Sequence, residues 1–162
     1  MAFGLELYRI SQDRKNFELL HWKEGDDKNQ PDRITALAFD KSNTIYIGTD
    51  AGQLTSVDFS RDQIQSEIKL ESKSAISIIT MTFHNDLLWI ATNKGLYYTN
   101  RSLSEIESLS ESNSGLSNSH VTSLVADNDL IWVGTYQGLN SLSLVPFELF
   151  SQQDSGIFND VL

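Results

Sequence analysis

Tyr46-Ile47-Gly48-Thr49, Trp89-Ile90-Ala91-Thr92 and Trp132-Val133-Gly134-Thr135 recur every 43 residues, and Gly52, Gly95 and Gly138 keep the same interval. A fixed period in the low forties, carried by short β-branched and aromatic segments, is the spacing of one four-stranded propeller blade. The expected fold class is therefore all-β: a partial β-propeller of four-stranded antiparallel blades, about three and a half of them.

Upstream of each quoted segment lies a second matching one: Ile34 to Asp40, Ile78 to His84 and Val121 to Asp127. These read as the innermost strand A of each blade. The first copy has one extra residue in its turn, Lys41-Ser42-Asn43-Thr44, where a hairpin tolerates an insertion. Strand B then carries the β-branched and aromatic residues, which suits a central strand packed on both faces. The B to C turns each end in glycine, as a turn position with positive φ demands. Strand C follows at Gln53 to Asp58, Leu96 to Asn100 and Leu139 to Leu144. Strand D is expected at Glu67 to Leu70, Ile106 to Leu109 and Phe147 to Phe150. Leu103, Ile106 and Leu109 also fit one face of a short helix, the alternative reading of that segment. Ser110 to Ser119 reads as a loop.

The ends resemble incomplete blades. Gly4 to Tyr8 is like a strand C, Phe17 to Leu20 is like a strand D, and Phe158 to Leu162 is like the start of a fourth strand A. The expected organisation is residues 1–33 as half a blade plus a loop, blades at 34–77, 78–120 and 121–157, and a stub at 158–162, all within one propeller domain. Propellers close with about four to eight blades, and an uncovered terminal blade exposes apolar surface. The expected partner is accordingly a second copy, meeting through open blades, or the remainder of a longer propeller chain.

Bulk properties narrow the function classes. The chain has 162 residues, a net charge of −10 and 40% hydrophobic content, the profile of a soluble globular chain. Sparse Lys and Arg oppose a nucleic-acid partner. No apolar run reaches the roughly 20 residues of a membrane helix, and Met1-Ala2-Phe3-Gly4 does not open a signal peptide. The absence of Cys excludes disulfides, thiolate metal sites and a Cys nucleophile. His21, His84 and His120 stand isolated, without metal-ligand spacing. Glu24 to Asp32 is acidic but lacks the alternating ligands of an EF-hand loop. Phosphate-binding glycine motifs are absent. No cofactor, no metal and no catalytic residue is expected.

Three residue sets merit a structural test. The column Tyr46, Trp89 and Trp132 reads as interblade core, with sugar stacking as the rival. Asp40, His84 and Asp127 occupy equivalent A to B turns; each is expected to bond its own turn, with a shared polar ring as the rival. Propeller geometry gathers the B to C turns and D to A loops on one face. That nominates Asp50, Asn93, Lys94, Tyr136 and Gln137, with Asn118 and His120, as ligand-binding residues. They differ from blade to blade, which argues that no common structural duty fixes them.

The run from Val121 to Asp127 followed by Ile131-Trp132-Val133-Gly134-Thr135-Tyr136-Gln137-Gly138-Leu139-Asn140, with Asn113-Ser114-Gly115-Leu116-Ser117-Asn118 before it, resembles the two-component regulator propeller repeat. Tyr46, Ala91 and Gln53 depart from the usual Trp, Gly and Leu. The resemblance implies an extracytoplasmic, periplasmic sensor propeller of a bacterial regulator such as a hybrid histidine kinase or diguanylate cyclase. It implies signalling by binding a small molecule or oligosaccharide, or by packing on a partner propeller. The competing readings are a protein scaffold without a small ligand, and a glycan-active enzyme. The enzyme would need acid-base groups such as Asp50, Tyr136 and His120 to converge.

Overall fold

The computed structural model describes residues 7–10, 17–20, 33–61, 63–71 and 74–143, and no helix occurs among them. A hairpin pairs β1 (Leu7–Ile10) with β2 (Phe17–Leu20) antiparallel, Leu7 opposite Leu20. Three sheets follow, each an antiparallel meander. The first orders β3 (Ile34–Phe39), β4 (Thr44–Thr49), β5 (Gln53–Asp58) and β6 (Gln63–Lys69). The second orders β7 (Ile78–His84), β8 (Leu87–Thr92), β9 (Gly95–Thr99) and β10 (Ile106–Leu109). The third orders β11 (Val121–Asp127), β12 (Leu130–Thr135) and β13 (Gly138–Ser143). The strand expected at Phe147 to Phe150, the segment Phe158 to Leu162, His21 and the acidic stretch Glu24 to Asp32 lie outside the described residues.

The first strands of successive sheets lie side by side, β3 against β7 and β7 against β11, as blades do around a propeller axis. Every residue of β4 is buried, and five of the six in β8 are. Rows such as Ile45-Tyr46-Ile47 and Leu88-Trp89-Ile90 are apolar on both faces because a blade packs on each side. The first interface joins Ala36, Ala38, Tyr46 and Leu54 to Ile78, Met81, Leu88 and Ile90. The second joins Trp89, Ala91 and Leu96 to Val121, Ile131 and Val133. Burying each large apolar side chain contributes about 1.5 to 3 kcal/mol. These seams supply most of the cohesion of the repeat.

Two local features set the fit. A β-bulge sits near the start of each strand A, between Ile34 and Ala36, Ile78 and Thr80, and Val121 and Ser123. In the first blade it turns the Thr35 hydroxyl toward the next blade, where it donates to the Ile78 carbonyl oxygen. Gly48 lies under that same strand, and a Cβ there would stand 2.7 Å from Ile78 Cγ2. The small residue at this position therefore sets how closely two blades approach.

The segment Ile106 to Leu109 is a strand, with Ile106 opposite Thr99 and Leu109 opposite Leu96, which disposes of the helical alternative. Leu103 instead occupies the preceding turn at φ 59° with its side chain buried. The glycine alignment also misplaces one core residue. Gly48 pairs with Leu54, whereas Ala91 pairs with Leu96 and Gly134 with Leu139. The first B to C turn is one residue longer, so Leu54 fills the leucine slot and Gln53, opposite Lys69, opens the strand one residue before it.

Gly95 has φ 139°, and a Cβ there would meet the Leu109 carbonyl oxygen at 2.5 Å, whereas Gly115 has nothing within 4 Å. Gly95→Ala should therefore cost about 1 to 3 kcal/mol in urea unfolding through overpacking and strain, and Gly115→Ala less than about 0.5 kcal/mol. Equal effects would refute the steric account.

Candidate functional site

Each B to C turn is tied to the loop before strand A. The amide of Asp50 donates to Arg33 O, that of Asn93 to Ser77 O and that of Tyr136 to His120 O. In the first two blades the side chain closes the loop from the other direction. Asp50 Oδ1 accepts from the Arg33 amide at 2.8 Å, and Asn93 Oδ1 accepts from the Ser77 amide at 2.9 Å. Asn93 Nδ2 also donates to Ala75 O. Asp50 and Asn93 thus share a structural duty that their different identities concealed, because a carboxylate and a carboxamide oxygen do the same work here.

Tyr136 departs from this pattern. Its ring stacks on His120, centroids 3.8 Å apart and planes 9° from parallel, while 71% of the residue remains exposed. Asn118 Oδ1 accepts from the His120 amide at 2.8 Å and holds the loop beneath the imidazole. Thr135 accepts from the Gln137 amide, and Thr92 likewise accepts from that of Lys94, so both turns keep the same form. The structure therefore gathers Asn118, His120, Tyr136 and Gln137 at one corner of the third blade. Asp50 lies in the first blade; Asn93 and Lys94 lie in the second.

The opposite end of the seam holds a charged clasp with no signal in the repeats. Arg101, in the turn after β9, pairs with Asp40 of the first blade and, at 2.7 Å, with Asp86 of its own. Its guanidinium carbon lies 4.7 Å from the centre of the Phe83 ring, which stacks on Tyr46 at 5.7 Å. Tyr46 Oη donates to Arg101 O at 3.2 Å. Asp40 Oδ1 accepts the amides of Ser42 and Thr44, the turn bonding expected for that position. His84 Nε2 instead meets Asn128 O at 2.6 Å, and Asp127 Oδ1 accepts from Asn128 Nδ2. Asp40 thus bonds its own turn and also reaches the second blade, His84 bonds the turn of the third blade instead of its own, and Asp127 bonds the residue next to it. No group of three or more acidic or histidine residues able to hold a metal occurs among the described residues.

The aromatic column has two states. Tyr46 is 0% exposed and Trp89 4%, both core between blades, whereas Trp132 is 36% exposed. Val125 and Leu139 share its face of the third blade and are exposed too. In the second blade the same face is covered by the third.

Neither a family model nor a curated protein matches the chain in sequence. Solved structures do match in fold. The extracellular domain of BT4673 from B. thetaiotaomicron, assigned as a one-component system in one structure and a hybrid two-component system in another, aligns at TM-score 0.66 in both. The identities are 24% and 22% over 84% and 83% of this chain. PorZ, a bacterial surface component of the type-IX secretion system of Porphyromonas gingivalis, aligns at TM-score 0.55 and 23% identity over 68% of the chain. The computationally designed Ika8 protein aligns at TM-score 0.60 and 17% identity over 81%. The chain spans 18% of the length of the BT4673 domain and 17% of PorZ. At these identities the likeness is one of fold, and the class it defines is the β-propeller segment. The resemblance carried by the repeats thus has a structural counterpart in the extracellular domain of a regulator. No helix among the described residues is long and apolar enough to cross a membrane.

Burial first, then the charge of Asp40, pushes the Tyr46 phenol from 10.0 up to about 12. The folded chain therefore holds this proton where the unfolded chain has lost it. The resulting stability is fully present below pH 10 and disappears as pH rises toward 12, up to about 3 kcal/mol in all. Urea midpoints measured from pH 9 to 12 should fall less steeply in Tyr46→Phe than in the wild type; parallel curves would refute the assignment.

Proposed function

We propose that the chain is a segment of an extracytoplasmic sensor propeller in a bacterial signal-transduction regulator, and that it acts without catalysis by packing against a further blade. The observation that carries this reading is the exposed face of the third blade, where Trp132 and Leu139 stand exposed although their counterparts Tyr46, Trp89, Leu54 and Leu96 are buried, with Val125 exposed beside them. The repeat resemblance and the fold shared with the BT4673 extracellular domain support the signalling context. The blade that covers this face belongs to a second copy or to the rest of a longer propeller chain. Closure of that contact would favour one arrangement of the sensor, a population shift passed to an output domain.

A second reading, ligand binding on the loop face, is favoured by the Tyr136–His120 stack. An exposed ring held flat by a second ring is a ready platform for the apolar face of a sugar. A glycan-active enzyme is less well supported, since Asp50 stands in the first blade and Tyr136 and His120 in the third. A scaffold that binds proteins without a small ligand would use the same uncovered face.

Light scattering across a concentration series tests the packing. A dimer that forms as concentration rises, and that Trp132→Glu abolishes, supports association of two copies through this face. A monomer at every concentration overturns association of two copies. Tyr136→Ala should weaken binding of an oligosaccharide to the loop face at least about tenfold, roughly 1.4 kcal/mol; unchanged affinity removes the platform.

A further inference from the structure

The two interblade seams are built alike but filled differently. In the second blade Trp89 pairs across the sheet with Tyr98, and their rings pack at 5.0 Å. In the first blade Tyr46 pairs with Ser56. A hydroxymethyl group thus stands where the other seam has a phenol ring, and the outer part of the first seam opens into a groove of about 480 Å³. That is the size of a small-molecule site.

The walls are polar. Ser56 and Ser66 line the groove with Asp58, Arg61, Gln63 and Gln65, and Arg101 with Ser102 forms the facing lip from the second blade. Ile64 is the one apolar residue among the described residues lining it. A β-bulge places Gln65 as an extra residue, since Ser56 pairs with Ser66 and Val57 with Ile64. Bulges re-aim side chains beside binding sites. The Ser56 hydroxyl, almost fully buried, reaches the Ser66 carbonyl only at 3.5 Å, a bond too long to hold it firmly. Arg61 is 75% exposed and joined to Asp58 at 3.7 Å, so its guanidinium can turn to a ligand at little cost.

We propose that this groove binds a small polyhydroxylated molecule, of one or two sugar units. Carboxamides, a carboxylate and a guanidinium offer paired donors and acceptors of the kind that vicinal hydroxyls complement, and Arg61 would also take a carboxylate on such a ligand. The site is separate from the Tyr136 platform and does not depend on it.

The test is an amide chemical-shift titration of the full chain with maltose and, separately, with glucuronate. Shifts confined to Ser56, Gln63 to Ser66 and Ser102 are expected with at least one of them. Ser56→Tyr copies the residue of the second seam and should fill the groove, abolishing those shifts while the chain stays folded. Should that variant fail to fold, Gln63→Ala with Gln65→Ala on the exposed strand should weaken binding at least about tenfold. Arg61→Ala should weaken glucuronate alone if the guanidinium takes the carboxylate. No shifts with either sugar, shifts that Ser56→Tyr leaves intact, or shifts that vanish only in Tyr136→Ala would each overturn the proposal.

Discussion

Everything in this molecule depends on how closely one blade can lie on the next, and that distance is set near the end of strand B. Over Gly48 the strand-A residue Ile78 comes so near that a single added carbon would collide with it. In the second seam Ala91 and Val121 are buried in one cluster at the corresponding positions. Such contact brings the large residues beside it, Tyr46 and Trp89, into full burial between sheets. A larger residue at the small position would force the sheets apart and forfeit dispersion contacts along the whole seam at once. The glycine and alanine are therefore spacers, and the aromatic column is the filling whose fit they permit.

Given the same spacing, the two seams diverge in chemistry. The second is apolar at its centre: Trp89 packs on Tyr98, and the buried indole N–H finds no hydrogen-bond partner among the described residues. That orphan donor costs about 1 to 3 kcal/mol, which the ring contacts must offset. The first is mixed. Tyr46 is smaller than Trp, its hydroxyl reaches the Arg101 carbonyl, and the guanidinium bridges carboxylates of both blades. The pairing of Asp40, with only 2% of its side chain exposed, makes this clasp more than a surface ion pair. Opposite Tyr46 stands Ser56 rather than an aromatic residue, and the clasp joins the two blades at the end of the seam where strands A and C finish.

The repeated skeleton was legible in the sequence because its causes are periodic. Strands A, B and C follow from β-branched runs at a fixed interval, and the glycines follow from positive φ at Gly52, Gly95 and Gly138. What escaped was aperiodic or compensated. Aligning the turn glycines hid the longer first turn, so Gln53 was matched to a core leucine that is in fact Leu54, and the pairing of Ser56 with Tyr46 went unseen. Arg101 gave no signal, since it lies in a C to D turn with no repeated counterpart and its partners are 61 and 15 residues away. Asp50 and Asn93 looked free because unlike side chains perform one latch. Variation between repeats therefore separates function from structure only after the chemistry of the substituted groups is compared.

The third blade concentrates the departures from the repeat. Its B to C turn exchanges the latch for the Tyr136–His120 stack, and the two strands that this turn joins carry Trp132 and Leu139 on the uncovered face. The Thr135 hydroxyl binds the hairpin to itself through Gly138 O and to the preceding loop through Ser117. Under the proposed sensor reading, a ligand on Tyr136 and a blade on Trp132 would press on one hydrogen-bonded hairpin. Coupling between two sites requires a shared element whose state both can bias, and it acts equally in both directions. A ligand that holds the turn would then strengthen the packing of the face by the same factor as the packed face strengthens the ligand. No path through the rest of the sheet is needed, because the two surfaces are the end and the side of one β-hairpin.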